Sequence, residues 1–180
     1  MPRLFNPEKI YNCLMVFTPL LSIYLMFSIG GCSSSHQERK LAIGAEFPSF
    51  QAKNLQNKSV EIPQKIGTRS QLVVFWATWC NPCAKELAVL DKLKSSFEDG
   101  GIDILAISTE GDPEIVKYYK KIRGLNLDLL YCASSASIKL GIKSIPQTFL
   151  VDENGKIRDH LIGSQIDSLN FDRLQRLLGK

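Results

Sequence analysis

Val73-Val74-Phe75-Trp76-Ala77-Thr78-Trp79-Cys80-Asn81-Pro82-Cys83 decides how the rest of the 180-residue chain is read. Val73, Val74, Phe75 and Trp76 are β-branched or aromatic, the composition of an inner strand. Pro82 suits the first turn of a helix, where a backbone N–H has no intrahelical partner to lose. From Ala84 to Phe97, the residues Leu87, Leu90, Leu93 and Phe97 recur at helical spacing. The stretch therefore predicts a buried strand followed by a helix, with Cys80 at the helix N-terminus and Cys83 one turn further in.

That placement has chemical content. The reactive species in thiol–disulfide exchange is the thiolate. A helix N-terminus stabilises an anion through its unpaired N–H groups and the positive end of the helix dipole. Cys80 is the candidate nucleophile, provided that its sulfur is accessible, and Cys83 is the resolving thiol that closes a disulfide. Two other readings stand beside this one. Half of a zinc site would need about four ligands, and the chain has neither a second cysteine pair nor a histidine at ligand spacing. A purely structural disulfide is the other.

The segment Phe75 to Cys83 resembles the thioredoxin fold, and within it the membrane-associated TlpA/ResA/CcmG (DsbE) group of thiol-disulfide oxidoreductases. The resemblance extends from about Leu41 to the C-terminus. It implies an α/β fold, with a mixed central β-sheet flanked by helices on both faces and a short N-terminal β-hairpin extension. It also implies a redox-active Cys80–Cys83 disulfide in place of any cofactor or metal.

Glu86 lies three residues after Cys83, so the two share one helix face. A buried carboxylate there can take the proton of Cys83 when that thiol must attack, and burial would raise its pKa toward neutrality. The resembling family carries a glutamate at this offset. Ordinary thioredoxins instead place an aspartate on the strand six residues before the first cysteine, where this chain has Val74. Many family members also have a proline two residues after the glutamate. This chain has Ala88 there, which leaves the helix straighter and the depth of Glu86 open. The alternative for Glu86 is an ordinary surface glutamate.

In Ile145-Pro146-Gln147-Thr148-Phe149-Leu150-Val151-Asp152, Pro146 precedes a strongly apolar strand. The resemblance implies that Pro146 is cis and packs against the disulfide, with the backbone of Ile145 pairing to an extended substrate by strand addition. Trp79, Asn81 and Pro82 then complete the substrate-binding surface, Trp79 covering the pair and Trp76 packing inside.

The bulk numbers agree with one domain and an attachment. An apolar share of 44% with 22% charged residues is ordinary for a globular chain. The net charge is +4, and +3 without residues 1–31, too little and too dispersed for nucleic-acid binding. Residues 1–31 read as a signal peptide: Arg3 and Lys9 precede the apolar run Leu14 to Ile29. That run is shorter than the ~20 residues a transmembrane helix uses. Ile29-Gly30-Gly31-Cys32 resembles a bacterial lipobox, which implies cleavage before Cys32 and lipid on its sulfur, with an uncleaved signal anchor as the alternative. Several acyl chains anchor firmly where one does not. Residues 32–40 are a polar tether holding His36, and residues 41–180 the thioredoxin-like domain. Both anchor readings place that domain outside the cytoplasm, on the periplasmic side of a membrane.

Further along, Ser59-Val60-Glu61-Ile62 alternates as a strand, and the lead-in Ile43 to Phe50 resembles that of TlpA-like and peroxiredoxin-like domains. Gly100-Gly101 ends the active-site helix. A parallel strand follows over Ile102 to Ser108, then a helix from Asp112-Pro113-Glu114 to Arg123, a strand over Leu127 to Tyr131, and a short helix over Ser134 to Leu140. Asn154-Gly155 supplies the positive φ of a hairpin turn, with the return strand Ile157 to Ile162 carrying His160. An amphipathic helix over Ser168 to Leu178 closes the chain. Cys132 reads as a partly buried free thiol.

The expected activity is disulfide reduction in protein substrates, the chain acting as a monomer. Asn81 and Pro82 add no positive charge between the cysteines, so the pair is expected to be a weaker oxidant than those near ~−120 mV. Apocytochrome c is one substrate the family implies, with a membrane thiol reductant as electron donor. Two rival activities share parts of this pattern. A peroxiredoxin-type peroxidase needs Pro-x-x-x-Thr-x-x-Cys, whereas Val73 and Ala77 stand at those offsets from Cys80. An SCO-type copper-delivery protein needs Cys-x-x-x-Cys with a distal histidine, a role only His160 could fill.

Overall fold

The computed structural model describes residues 41–64, 69–165 and 169–179. The expected signal peptide, Cys32 and the tether lie outside the described residues, as does Ser168.

Among the described residues seven strands form one mixed sheet in the order β2-β1-β5-β4-β3-β6-β7. They are β1 (Phe50–Asn54), β2 (Ser59–Ile62), β3 (Ser70–Trp76), β4 (Ile102–Ser108), β5 (Leu129–Tyr131), β6 (Gln147–Val151) and β7 (Ile157–Ile162). The helices are α1 (Asn81–Asp99), α2 (Pro113–Arg123), α3 (Ser134–Lys139) and α4 (Phe171–Leu177). β1 and β2 pair antiparallel, and β1 joins the rest of the sheet through β5.

β3 is buried along its whole length because both its edges and both its faces are covered. It runs parallel to β4 and antiparallel to β6. Alternation then sends Leu72, Val74 and Trp76 into one core, and Val73 and Phe75 into the other. The first core packs Cys83, Leu87, Leu90 and Phe97 of α1, Val116 and Tyr119 of α2, and Leu174 of α4. The second gathers Phe47 of the lead-in, Phe149 and Leu140, with Ala136 of α3 against it. The crossovers from β3 through α1 to β4, and from β4 through α2 to β5, each link parallel neighbours in the sheet.

The starts of β5 and α4 and the form of one turn differ from the sequence reading. β5 starts at Leu129, not Leu127, because the Asp91 carboxylate on α1 accepts from the backbone N–H groups of Asn126 (2.6 Å) and Leu127 (2.8 Å) and holds them as a connection. α4 starts at Phe171, because the side chain of Asn170 caps it, accepting from the N–H of Arg173. In the β6–β7 turn only Gly155 has positive φ, at 76°. The Asp152 carboxylate accepts from the N–H groups of Asn154 and Lys156 and shapes the remainder.

Candidate active site

At the end of β3 the chain must turn out of the sheet and enter α1, and several bonds fix that connection. The Trp76 carbonyl accepts from the Thr109 N–H at 2.9 Å, and the Ala77 carbonyl from the Cys80 N–H at 3.1 Å. Glu110, just beyond β4, accepts from the Thr78 N–H (2.7 Å) with one oxygen and from the Thr78 hydroxyl (2.9 Å) with the other. Bidentate charge-assisted bonds of this kind hold geometry better than neutral ones.

Cys80 is the N-cap residue of α1, with extended backbone at φ −88° and ψ 99°, and no acidic residue occupies the first turn. Its sulfur accepts a hydrogen bond from the Cys83 N–H at 3.3 Å. Sulfur here does the work that a serine or aspartate oxygen usually does at an N-cap. Cys80 and Cys83 form a disulfide, their Cα atoms 5.2 Å apart.

The sequence reading expected an accessible Cys80. In the disulfide form Cys80 is only 5% exposed, against 1% for Cys83, because both side chains belong to the core beneath α1. Access is through the surface around the pair, where Asn81 and Pro82 are exposed. Trp79, expected to cover the pair, is 71% exposed and stands largely in solvent. Trp76 is fully buried and packs against Tyr119.

Glu86 is 2% exposed, so the change of proline to Ala88 has not brought it to the surface. Its Oε1 accepts from the Thr148 hydroxyl at 2.6 Å. Its Oε2 is buried and has no hydrogen-bond partner among the described residues. Burial pushes the carboxyl above its ordinary value, and the Thr148 bond partly opposes that. Thr148 pairs directly with Val74 across the β3–β6 ladder. The helix carboxylate thus reaches the sheet row where the resemblance put an aspartate in ordinary thioredoxins.

The Ile145–Pro146 peptide is cis, and so is Ile62–Pro63, which nothing in the sequence signalled. Gln147 pairs with Phe75, which brings Pro146 level with Trp76, beside the connection that carries the cysteines. Ile145 is half-buried and touches both cores. On the α3 side, a cleft of about 850 Å³ is lined by Ile138, Leu140, Ser144, Gln147, His160 and Ile162.

His160 is not near the pair's core. It stacks on Phe149 at 4.1 Å, in the opposite core, with Nε2 3.2 Å from Gln147 Oε1. Burial lowers its pKa, opposed by Asp159. Among the described residues no group of three His, Cys, Asp or Glu side chains is placed to hold a metal ion. Cys132 is a free thiol and 3% exposed, more deeply buried than expected, and burial pushes it up to about 11.

Sequence reasoning missed Thr148 and Glu110. Thr148 follows Pro146 by two residues, a spacing with no chemical meaning until the register is known. Glu110 had a weak signal: it sits at the C-terminal end of a parallel strand, where α/β folds put functional groups.

A family model described as AhpC/TSA matches residues 43–160. Thiol-disulfide oxidoreductase ResA of Bacillus anthracis is 30% identical over 129 residues, covering 71% of this chain and 74% of that protein. Among solved structures, StoA from Bacillus subtilis superposes with a TM-score of 0.58 at 21% identity, covering 73% of this chain and 96% of StoA. Peroxidoxin BcpB from Mycobacterium tuberculosis gives a TM-score of 0.63 at 19% identity, covering 76% and 96%. The two superpositions show the fold alone, and the fold is shared by different thiol chemistries.

Proposed function

This chain belongs to the AhpC/TSA family, as a ResA-like thiol-disulfide oxidoreductase, and from that premise we propose that it reduces protein disulfides outside the cytoplasm while tethered to a membrane. The observation that carries the redox assignment is the hydrogen bond from the Cys83 N–H to Cys80 Sγ at the start of α1. A donor aimed at that sulfur, with the helix dipole behind it, favours the thiolate when the pair is reduced.

In the forward direction the Cys80 thiolate attacks one sulfur of a client disulfide. A Cys80–client bond forms, and the client's other sulfur leaves as a thiolate. Cys83 then gives its proton to Glu86 and attacks Cys80 Sγ. The Cys80–Cys83 bond closes, the client's second sulfur leaves, and two electrons have passed to the client. A membrane thiol reductant returns the pair to the dithiol. Ile145, with Pro146 behind it, offers backbone to an extended client segment, and Trp79, Asn81 and Pro82 form the surface next to the sulfur.

The reducing direction rests on Asn81-Pro82, which adds no positive charge to the pair. The membrane tether rests on Gly30-Gly31-Cys32, and an apocytochrome c client on the family resemblance. A peroxidase reading lacks a threonine three residues and a proline seven residues before Cys80. For a copper reading, the one histidine among the described residues, His160, stacks on Phe149 of the opposite core, away from the pair.

Trapping tests the assignment. Cys83→Ala should leave Cys80 in mixed disulfides whose partners mass spectrometry identifies, and Cys80→Ala should leave none. A reduction potential nearer ~−270 mV than ~−120 mV is expected, and a value at the oxidising end would reverse the direction.

A further inference from the structure

The carboxylate proposed to move the Cys83 proton is held at one oxygen only. Thr148 Oγ1 donates to Glu86 Oε1 at 2.6 Å, and both residues are buried, at 2% exposure each. Oε2, equally buried, has no protein partner among the described residues. A buried carboxylate oxygen left unpaired is costly, so its retention calls for an explanation in the chemistry rather than in packing.

The surroundings of this pair are otherwise apolar. Thr148 lies on the sheet face beneath α1, flanked across the ladders by Val74 of β3 and Leu161 of β7. Neither neighbour can donate or ionise. Asp159 of β7 lies on that face two residues before Leu161, and Arg173 of α4 holds it at 2.7 Å. On α1 the ionisable neighbours of Glu86 are Cys83, on the same helix face one turn earlier, and Lys85, which is exposed. Thr148 is thus the single hydroxyl that the sheet offers to this carboxylate in that row.

We infer that Thr148 is a positioning residue for the resolving step: its hydroxyl fixes Oε1 of Glu86 and leaves Oε2 as the oxygen that receives the Cys83 proton. The inference rests on the proton-acceptor role proposed above for Glu86. When Cys83 attacks Cys80, its proton goes to Oε2 and its electron pair forms the Cys80–Cys83 bond. The client's sulfur departs with the electrons of the broken bond. Throughout, Thr148 keeps donating to Oε1. The bond is stronger to the anion than to the acid, so it holds Glu86 ionised at lower pH than burial alone would allow.

The test follows the pH dependence of the resolving step in the full-length chain. The reduced chain is mixed rapidly with a symmetric chromogenic disulfide from pH 5 to 9: Cys80 takes up one thiol as the other leaves, and the second release, driven by Cys83, is timed. Wild type should show a limb that rises with pH. Thr148→Val should move that limb upward by about one pH unit, the size expected for losing a bond to a charged group, so that release below the limb slows about tenfold. Thr148→Ser, which keeps the hydroxyl, should restore the wild-type limb. Should Thr148→Val not fold, Thr148→Ala carries the same expectation.

The two levels of the reading fail differently. If Glu86→Gln leaves the limb unchanged, the proton-acceptor role itself is wrong and Thr148 loses its function with it. If Glu86→Gln abolishes the limb but Thr148→Val slows release equally at every pH, Thr148 only packs, and the positioning role alone is overturned.

Discussion

Glu86 and Cys132 are both buried ionisable groups, and burial gives them opposite uses. Glu86 is retained in a place that penalises its charge, its pKa raised from 4.5 by desolvation. A carboxyl whose pKa is higher folded than unfolded binds more protons in the native state, so stability falls as pH rises. Its full contribution is present below the unfolded value, is lost as pH climbs to the raised value, and is level beyond it. Oxidised Glu86→Gln should therefore gain on wild type in urea midpoint between pH 4 and pH 8. A wild type that gained on the variant would mean the carboxylate is better stabilised in the fold than in water. Cys132 has no such tension. With its thiol pushed up to about 11, it is almost wholly protonated at neutral pH. After mild reduction, iodoacetamide at pH 7.5 should label Cys80 and spare Cys132, a contrast that peptide mass spectrometry reads directly.

At the scale of elements, the end of α1 packs directly against α4. Gly100 caps the helix at φ −82°, a conformation open to any residue, so glycine is not needed there for its backbone. It is needed for space. A Cβ at Gly100 would lie 2.1 Å from Phe171 Cζ and 2.6 Å from Gln175 Nε2, both on α4. Gln175 also donates to the Gly100 carbonyl at 2.7 Å, and Phe171 meets Phe97 edge to face. Gly100→Ala should thus push α4 off α1 and cost about 2 kcal/mol, the usual penalty for overpacking, measured as a lower urea midpoint. The neighbouring Gly101, at φ 77°, is the one required by its backbone. Sequence periodicity found α1 and its stop signal but could not tell these two glycines apart. The same limit explains what else was hidden. Strand β3, the N-cap cysteine and the helix face shared by Cys83 and Glu86 are local patterns, and they were legible. Thr148 against Glu86, Glu110 against Thr78 and Asp91 against Leu127 join residues 62, 32 and 36 apart. Such contacts depend on strand order and register, which side-chain alternation does not encode.

For the molecule as a whole, the edges of the sheet bear on its assembly. β2 is only four residues long, and β7 carries Arg158, Asp159 and His160. Short, charged edge strands resist pairing with a second copy. Sedimentation at about 100 μM should accordingly return a monomer, and a dimer that dissociates when β7 is altered would contradict this. The start of β7 is covered by the chain's own lead-in. Gly44 donates to the Ile157 carbonyl at 2.7 Å, Ile157 to the Ala45 carbonyl at 2.9 Å, and Phe47 to the Gly155 carbonyl at 2.8 Å.

Those three bonds lie where tension from the N-terminal side would first be felt. Drawn taut at residue 41, the lead-in would load the β6–β7 turn before any strain reached β3 or the cysteines, so the redox centre sits downstream of a short mechanical fuse.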